Sequence, residues 1–267
     1  MLFRSHSVLR RSVTGSLVEI AASNLRHGRE DVAIHEVGKG YGDDDGVIRE
    51  WWRLAIGLTG AAEEPSWNRP ARSFDLDDAK GMIELLCRRI GLDAPRYAPL
   101  TDEPLLHPGR AATVTAAASA DGAGGVALAG VVGELHPAVA ESVDLRGARL
   151  IISELDIAGL AGGSFEDRAV TAPSRHPAVE RDLAVMIGEP TPAADVERAI
   201  RGAAGPDLVS LRLFDVYRGV PLGSEEKSLA WRLVFQASDR TLTDAEVDDS
   251  IGRITRGLGD IGGRIRT

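Results

Sequence analysis

The chain has 267 residues, 43% of them hydrophobic, and a net charge of −9, which suits one large or two ordinary domains and argues against bulk attraction to nucleic acid. No run of eighteen apolar residues offers a membrane span, and the N-terminus lacks the apolar core of a secretory signal. A single cysteine, Cys87, and six scattered histidines give neither an internal disulfide nor a zinc pattern, so a reducing, cytoplasmic setting without a bound metal is expected.

Residues 1–8 carry no structural signal and stay unassigned. Their Leu-Phe-Arg-Ser is also what read-through of a sequencing adapter encodes, so a non-native start is one reading, which the parent gene upstream decides. From residue 9 the spacing of Val13, Leu17, Ile20, Ala21 and Leu25 predicts a helix stopped at Gly28. A strand leaving through glycines follows in DVAIHEVGKGY, then a more continuously apolar strand in WWRLAIGLTG, the pattern of a sheet covered on both faces. Residues 60–73, with Pro65, Trp67 and Pro70, read as a loop. Asp77 is the expected cap of a helix whose apolar positions are Met82, Leu85, Leu86 and Ile90.

LLHPGRAATV is a turn entering a strand. Gly122, Gly124 and Gly125 suggest a hairpin turn rather than a phosphate cradle, because strands flank them. His136 and Pro137 open a short helix, and ARLIISELDI is another strand. Residues 9–160 therefore read as an α+β domain on a mixed sheet, and 161–172 as a linker.

Residues 173–267 read as strand (182–187), helix (193–203), two strands, helix (244–258) and a short final strand. Thr243 and Glu246 give a capping-box signal for the second helix. This βαββαβ order is ferredoxin-like. The segment holds 13 basic and 15 acidic residues, a net of −2, against −7 for the remainder, so any RNA contact is a local patch.

Candidate chemistry is sparse. There is no Walker loop or dinucleotide fingerprint, and no catalytic residue is assigned because no nucleophile, base and orienting group come as a set. Asp75, Asp77 and Asp78 could hold a hard cation, but lack calcium-loop spacing; helix capping is the better reading. His107 and His136 both precede proline and read as turn formers. Arg110 and Glu134 are candidates for a mutual ion pair, with solvated surface charges weighed equally. Trp51, Trp52 and Trp67 could anchor a partner or pack in the core; in a strand, the adjacent pair must point to opposite faces.

SRHPAVERDLAVMI, LFDVYRG, KSLAWRLVF and DRTLTDAEV, in that order, resemble the ferredoxin-fold anticodon-binding domain that closes bacterial phenylalanine–tRNA ligase β subunits. LRRSVTGSLVEIAASNLRHG, IHEVGKGY, FDLDDAKGMIELL, LLHPGRAATV and VVGELHP are similar to the catalytic-like module that precedes it. The resemblance runs from residue 9 to the end and implies a class II synthetase-like domain followed by the ferredoxin-like one. It also implies the C-terminal third of a longer subunit, without its editing and metal-associated modules. His176 departs from the family's usual aromatic residue.

The resemblance further implies a heterotetrameric ligase whose aminoacylation chemistry lies in the α subunit, with ATP and Mg2+ belonging to the whole synthetase and no cofactor held by this portion. The implied partners are tRNA-Phe, the α subunit and the remaining β modules. An open sheet face suits unstacked bases, which makes Arg175, Arg181, Arg212, Arg218, Lys227, Arg232 and Arg240 candidates, with Phe214 or Tyr217 as a stacking surface. Each arginine singly reads equally well as a solvated charge. Arg212 and Arg218, an even number of residues apart, are expected on one strand face. Trp67, His107, Arg110, Glu134 and His136 are the interface candidates. A free-standing RNA-binding or regulatory paralogue and a small-molecule sensor are the rival readings.

Overall fold

The structure, a computed structural model, describes residues 8–117, 126–145, 147–162 and 174–266. The chain divides into two compact units, 1–168 and 169–267. The expected Gly122–Gly125 turn lies outside the described residues, as does nearly all of the expected linker.

In the first unit, β1 (Val32–Asp44) and β2 (Val47–Thr59), each of 13 residues, form a hairpin. Asp45 and Gly46 turn it with φ of 52° and 84°, the double positive φ of a type I′ turn. β3 (Ala61–Glu63) and β4 (Arg72–Ser73) pair as a small hairpin, so residues 60–73 are not the plain loop expected. Then come β5 (Arg96–Pro99), β6 (Leu106–Ala117), β7 (Val126–Leu135) and β8 (Ile151–Asp156), in a six-stranded sheet of order β1-β2-β8-β7-β6-β5. Every described pairing in it is antiparallel, which corrects the expectation of a mixed sheet: hairpins, not βαβ crossovers, link its strands. The α+β class stands.

Helix α2 (Leu76–Ile90) covers one face of this sheet, where Ala79, Ile83 and Cys87 meet Leu58, Val114, Leu128, Val132 and Leu155. Helix α1 (Thr14–Arg26) and the short α3 (Pro137–Ser142) cover the other, against Ile34, Ala55, Leu135 and Ile152. Two-sided cover explains the apolar run of β2, but only from Ala55 onward; Val47 to Glu50 are exposed. Trp51 and Trp52 do take opposite faces: Trp51 is half-buried and Trp52 exposed. Gly38, Gly40 and Gly42 share one face of β1, and a Cβ on Gly42 would lie 2.5 Å from the Trp51 ring. Gly40 and Gly42 make the bed for that indole, while Gly38 leaves room for the Arg10 guanidinium.

Three helix expectations shift. α1 begins at Thr14 and leaves Ile20 exposed. Asp75, not Asp77, caps α2, accepting from the Asp77 and Asp78 amides while Asp78 reaches back to the Asp75 amide. The buried stripe of α2 is carried by Ala79 and Cys87 with Ile83, whereas Met82 and Leu85 face solvent. Small residues hid that face from an apolar pattern.

The second unit follows the expected order: β9 (Val179–Gly188), α4 (Ala193–Ala204), β10 (Leu208–Tyr217), β11 (Glu226–Phe235), α5 (Asp244–Asp260) and β12 (Arg264–Ile265). Its sheet runs β10-β11-β9-β12 with antiparallel neighbours. The ferredoxin-like βαββαβ arrangement is therefore present. Helices α4 and α5 pack Val196, Ile200, Val247, Ile254 and Leu258 against Leu183, Val185, Leu229, Trp231, Leu233 and Phe235.

Gly130 lies mid-strand in β7, where a Cβ would press into the Glu154 carbonyl and the Leu155 backbone. Gly130→Ala is expected to destabilise the first unit by about 1–3 kcal/mol, the usual overpacking cost, read as a lowered midpoint in urea unfolding. Unchanged stability would show that β7 and β8 are not this close.

Candidate RNA-binding face

Parity along the strands decides which side chains reach the uncovered face of the second unit. In β11, Leu229, Trp231, Leu233 and Phe235 point to the helices, so Ser228, Ala230, Arg232 and Val234 point away. Through the register, Glu180, Asp182, Ala184 and Met186 of β9 lie on that same outer face, and none of the unit's helices covers it. Arg212 pairs directly with Arg232. Leu213 still faces Trp231, but the next paired residue, Asp215, faces Ala230; Phe214 is the extra residue of a β-bulge. A bulge re-aims a side chain and resets the alternation after it, so Phe214, Asp215 and Tyr217 all join the outer face.

The Phe214 ring, 46% exposed, lies 5.4 Å from the Arg232 guanidinium, within cation–π range. Arg232 donates to both carboxylate oxygens of Asp182 at 2.8 Å, with Glu180 at 4.0 Å. The Asp182 carboxyl is held below its ordinary range, first by the hydrogen bond from Arg232 and then by the positive charges of Arg232 and Arg212. Arg212 is exposed and makes no hydrogen bond or ion pair among the described residues. Tyr217 donates its hydroxyl to the Val220 carbonyl at 2.7 Å, fixing the ring at the edge of the 218–225 connection.

The remaining candidates go elsewhere. The bulge, and the end of β10 at Tyr217, overturn the expectation that Arg212 and Arg218 share a face. Arg218 lies past the strand and donates Nε and a terminal nitrogen to Glu189 at 3.0 and 2.7 Å. Arg181 and Lys227 have the parity of the core residues. Arg181 binds Asp244 at the start of α5, and the nearly buried Lys227 donates to the Glu189 carbonyl at 2.7 Å. Arg240 is occupied by Glu246 and Asp239, and Arg175 is exposed in the bend before β9. The outer face thus gathers Arg212, Phe214, Tyr217 and Arg232. Sequence reasoning missed Asp182, whose only signal was alternation with Leu183 and Val185.

In the first unit, residues 107–110 bulge out of β6 opposite Glu134, because the register jumps from Leu106–Leu135 to Ala111–Gly133. His107 Nδ1 accepts from the Gly109 amide and His136 Nδ1 from the Ala138 amide, so both are local turn and cap groups. Arg110 pairs bidentately with the nearly buried Glu134, at 2.8 and 3.1 Å. Trp67 is 96% exposed at the tip of the β3–β4 hairpin and takes part in none of these bonds.

A family profile described as "Phenylalanyl tRNA synthetase beta chain CLM domain" matches residues 2–157, and one described as "Ferredoxin-fold anticodon binding domain" matches 174–266. The chain belongs to the phenylalanine–tRNA ligase β-subunit family. Among relatives named "Phenylalanine--tRNA ligase beta subunit", that of Moorella thermoacetica is 39% identical over 96% of this chain and 31% of its own length. That of Symbiobacterium thermophilum is 35% identical over 100% and 29%, and that of Neisseria meningitidis 33% over 100% and 32%. The chain spans about a third of the length of the curated β subunits it matches. Within this family portion, no described helix is long and apolar enough to cross a membrane.

The best-defined local electrostatics of the anticodon-binding-type domain lie at the α5 cap. Thr243 donates its amide and hydroxyl to Glu246, and Arg240 adds a guanidinium. Together they pull the Glu246 carboxyl down to about 2, the Thr243 amide contributing most. A lowered folded pKa means stability present above the ordinary carboxylate range and lost as pH falls through about 2. Carbon-detected NMR titration is expected to place Glu246 near that value and to move it up only part-way in Thr243→Val, which removes the hydroxyl and keeps the amide, and further when Arg240→Ala is added. An unshifted wild-type Glu246 would contradict the capping box.

Proposed function

We propose that this chain is a C-terminal portion of a phenylalanine–tRNA ligase β subunit that recognises the tRNA-Phe anticodon and scaffolds the synthetase. The observation carrying this reading is the uncovered sheet face with Phe214 and Arg232 in contact, in a domain matched by an anticodon-binding family. An exposed ring beside a guanidinium gives an unpaired base a surface to stack on, and a free Arg212 gives a donor for a base edge or phosphate.

The partners are tRNA-Phe, the α subunit and the rest of the β subunit, in the cytoplasm. Trp67 and the turns that hold Arg110, Glu134, His107 and His136 are the surfaces offered to protein partners. Amino-acid activation with ATP and Mg2+ belongs to the complete synthetase. The acidic trio of this chain does not suit that metal: Asp75 is spent on the α2 cap and Asp78 on a bidentate pair with Arg72 at 2.7 and 2.9 Å. No three His, Cys, Asp or Glu side chains gather as metal ligands among the described residues.

Binding of the intact chain to a tRNA-Phe anticodon stem-loop, with a changed-anticodon loop as control and salt varied, tests the reading. Preference for the native loop is expected, with Phe214→Ala costing about 1–3 kcal/mol, the worth of one stacked base. Equal binding to both loops that vanishes with salt would mean phosphate contact alone and would overturn anticodon recognition.

A further inference from the structure

The outer face of the ferredoxin-like sheet is poorly charged for a polyanion. By register and contact it carries Arg212, Arg232, Arg264 and Arg266 against Glu180, Asp182, Asp215 and Glu226, with no excess of positive charge. Two of its four arginines are already paired, Arg232 with Asp182 and Arg264 with Glu226 at 2.6 Å. Were the face built only to attract phosphates, each carboxylate would weaken it. Asp182 is the one placed directly across from Arg232, and it takes the Nε edge of the guanidinium bidentately while the Phe214 ring lies against the same group.

A bidentate carboxylate fixes a guanidinium plane as a single hydrogen bond cannot. Left alone, Arg232 is a long exposed side chain that would lose its rotamer freedom only on binding. Gripped by Asp182, it has lost that freedom beforehand, and binding is correspondingly cheaper. Its charge is also neutralised, so it presents a flat polar surface rather than a phosphate trap.

We propose that Asp182 is a positioning residue for nucleobase recognition: it locks Arg232 beside Phe214, making one rigid stacking platform for an unpaired base. This rests on the RNA-binding reading above, and the test separates the two. If the wild-type chain binds neither stem-loop, the RNA reading itself fails. If it binds and Asp182 is dispensable, only this inference fails.

The sign of the effect discriminates. Removing a carboxylate from an RNA-facing surface strengthens binding if only Coulomb forces act. Positioning predicts the reverse: Asp182→Ala weakens binding to the native anticodon stem-loop by about ten-fold, within the range of one lost stacked base. In an Arg232→Ala background, Asp182→Ala is expected to add no further loss, because its only route is through that guanidinium.

Asp182→Asn, which keeps the shape and an acceptor, carries the test if the alanine variant fails to fold, with an intermediate loss expected. A 2-aminopurine in the loop reports stacking directly: its fluorescence is expected to be quenched by wild type and less so by Asp182→Ala. Binding by Asp182→Ala and Asp182→Asn equal to or tighter than wild type, or a full further loss in the Arg232→Ala background, would overturn the proposal.

Discussion

A two-residue side-chain period, laid over a sheet that its own helices cover on one side only, decides where the charges of the second unit go. Once Leu229, Trp231, Leu233 and Phe235 are committed to α4 and α5, every second residue must face outward. Arg181 and Lys227 are drawn inward by that rule, to Asp244 and the Glu189 carbonyl. Arg232 and Asp182 are sent outward by it, directly across from one another. One of the two irregularities in β10 matters most: the bulge at Phe214 inserts one residue and turns an aromatic ring onto the face that holds the guanidinium.

Net charge is therefore a poor guide to what this surface recognises. The segment is slightly acidic, yet its arginines are distributed by pairing rather than by excess. Arg218, Arg240 and Arg181 each meet a carboxylate and tie loops and helix ends to the sheet. Exposed pairs of this kind contribute little stability singly; their consequence is geometric, leaving Arg212 on the outer face without a hydrogen-bond or ion-pair partner among the described residues. A surface of this composition favours base stacking over phosphate attraction, which fits a reader of loop sequence better than a general RNA binder.

Much of this architecture was legible in the sequence. The βαββαβ order and the Thr243–Glu246 capping box appear where the spacing puts them, because helix caps and strand alternation are local effects. The long-range features were hidden. The Phe214 bulge depends on the partner strand's register, so counting residues from Arg212 to Arg218 across it gave a false shared face. The parity of Arg181 with Leu183 and of Lys227 with Leu229 was in the sequence, but a list of arginines and lysines chosen by charge alone passed over it. In the first unit the α2 face escaped because Ala79 and Cys87, not the larger Met82 and Leu85, lie inward. The Asp45–Gly46 turn was a local hairpin signal that the surrounding acidic run obscured.

The account depends on one ring being where the bulge puts it. The chain has five phenylalanines, which makes its aromatic ring signals separable by selective labelling and by Phe214→Leu assignment. Titrating the anticodon stem-loop into the labelled chain is predicted to shift the Phe214 ring protons upfield through base stacking. The Phe235 ring, buried against the helices, should stay unchanged. Saturated binding with the Phe214 signals unmoved would show that RNA meets another surface, and that the outer face is not the reading head.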